Sequence, residues 1–106
     1  MSESLKPIGY WSRDQDKAEG LPWPSELVDD TWDVAERERV IAYLERGTIH
    51  ESWRGWSTCR LCGRPNGSRD HTDDVYVWPE GYVHYVRDHA VRPPADFIAH
   101  ALERYP

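Results

Sequence analysis

The chain has 106 residues, the length of one domain, with 30% of them charged and a net charge of −6. Fewer than a fifth are Leu, Ile, Val or Phe, close to the composition at which a chain stays disordered, but six Trp and six Tyr can build an aromatic core. A run of about 20 apolar residues and a signal-peptide core are both missing, which argues against a membrane span or export and for a cytoplasmic, bacterial-type protein.

Residues 1–24 are expected to form an irregular arm, because Pro7, Gly9, Gly20, Pro22 and Pro24 break any periodicity. Residues 25–106 are then one domain. A helix is predicted at roughly 33–46. Asp33 and Glu36 form a capping-box pair, Val34, Ile41 and Leu44 line one face with Val40 and Tyr43 beside them, and Gly47 suits a left-handed cap. Short β material follows around Thr48, Ile49, Trp53 and Trp56. Pro65-Asn66-Gly67 reads as a turn. Val75-Tyr76-Val77-Trp78 is the clearest strand, expected to pair with the strand before or around the cysteines. Pro79 ends it and opens a helix over about 80–89, with Glu80 at its positive end. After Arg92-Pro93-Pro94 a last helix carries Phe97, Ile98, Ala101, Leu102 and Tyr105 as an apolar stripe.

Chemistry concentrates in Cys59-x-x-Cys62-Gly63 and, 21 residues further on, in His84 and His89. Two thiolates on a tight turn can face one tetrahedral ion, and two imidazoles complete a Cys2His2 shell for Zn2+. Five residues separate the histidines, about 140° on a regular helix, so the last turn has to loosen for both to reach one ion. His71 is the alternative ligand, from the loop before the strand, and Asp88 or Asp70 could orient an imidazole. A redox pair normally opens a helix, which Gly63, Pro65, Asn66 and Gly67 do not permit. Inert buried thiols are the remaining alternative. His50 and His100 read as surface or packing residues, Asp70, Asp73 and Asp74 as a solvated turn, and Trp78 as a cover for the metal site. No catalytic motif is present. An enzyme would need an open position on the metal, with Glu80 or Asp88 as acid–base groups.

The whole net charge lies in residues 1–53, while residues 54–106 are balanced. Arg54, Arg60, Arg64 and Arg69 fall in sixteen residues without an acid, beside Trp53 and Trp56. That patch is either a solvated loop or a partner-binding surface. Net acidity disfavours nucleic acid as the partner and leaves another protein as the first expectation.

From Cys59 to Phe97 the chain resembles a group of small, uncharacterised bacterial zinc-site proteins. The resemblance rests on Cys59-Arg60-Leu61-Cys62-Gly63, Asn66-Gly67, Tyr76-Val77-Trp78-Pro79-Glu80-Gly81, His84-Tyr85-Val86 and His89-Ala90-Val91-Arg92. It implies a zinc site and supplies no activity. The order of knuckle, hairpin and ligand-bearing helix resembles a treble clef more than a DNA-reading finger, whose pairs lie about 12 residues apart. The expectation is therefore a small α+β, treble-clef-like domain with a short antiparallel hairpin and about three helices. It would be held by structural zinc and serve as a non-enzymatic interaction or regulatory module.

Overall fold

In a computed structural model, residues 5–11, 22–52 and 57–104 are described. They form an α+β fold with three α-helices and a four-stranded mixed sheet. β1 (Lys6–Pro7) comes first, followed by a 3-10 turn at Pro24–Leu27, α1 (Val34–Glu45) and β2 (Thr48–Ser52). Then come β3 (Arg69–Thr72), β4 (Tyr76–Pro79), α2 (Tyr82–His89) and α3 (Ala95–Arg104).

The sheet order is β1-β4-β3-β2. β4 does not pair with the chain around the cysteines. It runs antiparallel to β3, with His71 opposite Trp78, and parallel to β1, with Lys6 opposite Tyr76. β2 forms the far edge, antiparallel to β3, and its register shifts between Ile49 and Glu51. The expected irregular arm thus contributes a strand, and Ile8 behind it is buried in the core. Trp53, Arg54 and Trp56 lie outside the described residues, as does Tyr105.

Asp33 caps α1, its carboxylate accepting the Glu36 amide at 2.9 Å. Glu36 does not close the box. Its Oε2 accepts the indole N–H of Trp32 at 3.1 Å, which ties a buried Trp to the first turn of the helix. The buried face of α1 is Val40, Tyr43 and Leu44, whereas Val34, at the open first turn, is 56% exposed. Gly47 is not a left-handed cap, since only Gly9, Gly63 and Gly67 have positive φ among the described glycines. A side chain at Gly47 would instead strike the Trp78 ring.

The core is aromatic, as the composition requires. Trp32, Tyr43, Tyr76, Trp78, Tyr82 and Tyr85 are all buried, together with Val40, Leu44, Val86, Val91, Phe97 and Ile98. Phe97 from α3 meets the rings of Tyr43, Tyr76 and Trp78, the closest at 4.9 Å. Trp78 therefore has ring neighbours on α1 and α3. The chain closes where Val28 bridges Val91 and the Arg92 amide donates to the Leu27 carbonyl at 2.8 Å.

The acidic turn is not solvated as a unit. Asp70 is 7% exposed and accepts the Tyr10 hydroxyl at 2.9 Å. The Asp73 carboxylate accepts the Tyr43 hydroxyl, the His100 Nε2 at 2.8 Å and the amides of Val75 and Tyr76. His100 is therefore a partner inside a network that joins α1, the β3–β4 turn and α3.

Candidate metal centre

The cysteines sit on a small hairpin. Thr58 bridges Pro65, the Cys59 amide donates to the Arg64 carbonyl at 2.9 Å, and the Gly63 amide donates to the Cys59 carbonyl at 2.8 Å. Gly63 closes the turn at φ 75°, a left-handed conformation that a Cβ would strain. The Leu61 amide points at Cys59 Sγ, 3.3 Å away. Pro65-Asn66-Gly67, expected to be a turn, is the return leg of this hairpin, with the Asn66 amide donating to the Ser57 carbonyl.

Glu80 holds that leg in place. Its Oε1 accepts the amides of Ser68 at 2.6 Å and Arg69 at 3.1 Å. Gly81 follows because Asn66 lies where a Cβ would project. The Trp78-Pro79-Glu80-Gly81 junction thus clamps the knuckle's exit to the start of α2.

α2 carries both histidines, His89 being its last residue. Ala90 turns left-handed at φ 52°, and the Tyr85 carbonyl receives the amides of both Ala90 and Val91. This widened final turn, closed five and six residues on instead of four, is the loosening that the five-residue spacing demands. The imidazole centroids come to 4.9 Å.

Cys59 Sγ lies 3.5 Å from His89 Nε2, and Cys62 Sγ lies 3.4 Å from His84 Nε2. One ligand atom from each of the four residues falls within 4.8 Å of all the others, so the group could hold a metal ion. Cys59 is buried, Cys62 exposed and the two histidines half-buried. His71 is not in the cluster; it lies on β3.

The surroundings complete the orientation of these side chains. Asp88 Oδ2 stands 3.0 Å from His84 Nδ1, which leaves Nε2 for the cluster. Burial lowers the His84 pKa from its ordinary value against the opposing pull of Asp88, and the neutral imidazole is the form that binds metals. The Tyr85 hydroxyl accepts the Arg60 amide at 2.7 Å. Burial pushes that hydroxyl up to about 12, so it keeps its proton near neutrality. Sequence reasoning named Asp88 but missed Tyr85, which reads locally as one more aromatic on the apolar face of a helix.

Of the expected partner-binding arginines, Arg60 and Arg64 are exposed on the knuckle, and Arg69 is exposed at the start of β3. Among the described residues no helix is long and apolar enough to cross a membrane. Comparison of the chain with family models, curated proteins and solved structures finds no match.

Proposed function

We propose that Cys59, Cys62, His84 and His89 bind one structural Zn2+, and that the protein is a small zinc-stabilised, treble-clef-like interaction module. The observation that carries this reading is the pair of sulfur–nitrogen separations, 3.5 and 3.4 Å. A tetrahedral zinc with ordinary bond lengths has a sulfur–nitrogen edge of about 3.6 Å. Mixed sulfur and imidazole donors favour zinc over hard cations. The succession of knuckle, β3–β4 hairpin and ligand-bearing α2 supports the treble-clef comparison, and the kinship with small bacterial zinc-site proteins rests on the same residues.

Four protein ligands fill the tetrahedron, which supports a structural role and not a catalytic one. The sheet's edge supports an interaction role: every residue of β2 is exposed, and Ile49 is 56% exposed on it. The partner is then another protein, met in the cytoplasm.

Native mass spectrometry tests the site. One zinc per chain is expected, lost on Cys59→Ser, Cys62→Ser, His84→Ala and His89→Ala and kept on His71→Ala. Zinc retained by His84→Ala and lost by His71→Ala would overturn the assignment.

A further inference from the structure

Beside the knuckle lies a cleft of about 400 Å3 that the metal does not use. Its size falls within the range of small-molecule sites, about 300–1,000 Å3. Tyr10 and Trp11 form one wall, Ser57 and Thr58 the knuckle side, and Arg69 and Asp70 the entry to β3. Trp11 is not loosely placed. Its ring packs T-shaped with Tyr85, centroids 5.3 Å apart, and with Tyr82 at 6.0 Å.

The electrostatics run against the rest of the molecule. Arg60 and Arg69 line the cleft against one carboxylate, Asp70, in a chain of net charge −6. Asp70 is already engaged by the Tyr10 hydroxyl. Among the described residues neither Arg60 nor Arg69 forms an ion pair, whereas Arg87, Arg92 and Arg104 all do. Arg60 Nη1 donates to the Thr58 carbonyl at 3.0 Å, which fixes the guanidinium along the knuckle and leaves its other donors for an anion.

An aromatic wall, hydroxyl groups and two guanidiniums with no ion pair among the described residues suit a ligand with a flat ring at one end and an anion at the other. We propose that the cleft binds a nucleotide, its base on Trp11 and its phosphate on Arg60 and Arg69, with the sugar near Ser57 and Thr58. Base-on-aromatic stacking is sequence-tolerant and contributes about 1–3 kcal/mol per base. Phosphate recognition by guanidinium supplies orientation. The proposal rests on the zinc reading in one respect: Arg60 lies between the two cysteine ligands, so the metal and the Tyr85 hydroxyl together fix its peptide.

The test is a calorimetric titration of the full chain, with zinc content measured on the same sample. The probes are the four ribonucleoside 5′-monophosphates, inorganic phosphate and a 5′-phosphorylated single-stranded pentanucleotide. Saturable binding of at least one monophosphate is expected, with inorganic phosphate weaker by about tenfold or more. Arg60→Ala and Arg69→Ala, both at exposed positions, each weaken binding about tenfold, and Trp11→Ala does the same. Arg64→Ala, on the same knuckle but outside the cleft, changes nothing. Tighter binding of the pentanucleotide than of the matching monophosphate assigns the nucleotide to a strand end, and the reverse assigns it to the free pool. Absence of saturable binding by every nucleotide probe, or binding indifferent to both arginine substitutions, overturns the proposal. A zinc-loaded chain that ignores nucleotides defeats the cleft alone, and a zinc-free chain that binds them defeats the metal reading alone.

Discussion

Asp88 Oδ2 lies 3.0 Å from Nδ1 of His84, the imidazole whose other nitrogen faces Cys62. The pair is separated by one helical turn, so α2 brings both the imidazole and the carboxylate beside it. Carboxylates in this position fix the tautomer and raise the basicity of the metal-binding nitrogen. Asp88→Asn is expected to weaken zinc affinity about 10–100-fold, read by competition with a chromophoric chelator, with the fold intact at saturating metal. Unchanged affinity would reduce Asp88 to a surface partner of Arg87, whose Nε is 3.3 Å away.

Cobalt in place of zinc reports whether the shell is closed. Four protein ligands leave no position for a small anion, so azide or cyanide is expected to leave the visible spectrum unchanged. A spectral shift would indicate an open position and a metal-dependent activity.

Asp73 links stability to pH. Burial raises its carboxyl pKa, but hydrogen bonds from Tyr43, Tyr76, His100 and Val75 outweigh burial and bring it to about 2. The groups around it are Tyr43 on α1, His100 and Arg104 on α3, and the neighbouring amides. An unfolded aspartate titrates near 3.9, so the stabilisation is complete above that value and fades as pH falls from about 4 toward 2. Asp73→Asn is expected to destabilise the protein by about 1–3 kcal/mol in denaturant titrations. The deficit should stay constant from pH 8 to pH 5 and shrink below pH 4; a deficit that vanishes between pH 8 and pH 5 would contradict this origin.

Gly81 separates packing from backbone conformation. Its φ of −73° suits any residue, yet a Cβ there would project into Asn66. Gly81→Ala is expected to cost about 1–3 kcal/mol by thermal denaturation and to loosen the knuckle's return leg, hence also to lower zinc affinity. Wild-type stability in this variant would show that Asn66 moves aside freely.

The Cys59, Cys62, His84 and His89 cluster was legible because coordination chemistry constrains residue type and spacing, and the helices because their apolar faces and the Asp33 cap are local. β3 was not legible. Arg69-Asp70-His71-Thr72 lacks a β-branched or apolar run, and it is a strand because β2 and β4 pair with it on either side. β1 is two residues in a Pro- and Gly-rich stretch, and its partner Tyr76 is distant in sequence. Asp73 looked solvated because its partners Tyr43 and His100 lie 30 and 27 residues away. The cleft escaped for the same reason: its walls come from the N-terminal segment, the knuckle, β3 and α2.

A thin aliphatic core gives the proposed zinc the role of the missing constraint. Structural zinc in small domains contributes about 10–16 kcal/mol of apparent binding free energy, comparable to a domain's entire net stability of about 5–15 kcal/mol. The most direct measurement is thermal unfolding followed by circular dichroism, before and after zinc is stripped by a chelator and again after one equivalent is restored. Loss of the cooperative transition on stripping, and its return with zinc, is the expected result. An unchanged transition in a chain verified to be zinc-free would mean that the aromatic core suffices, and would contradict a metal-dependent fold.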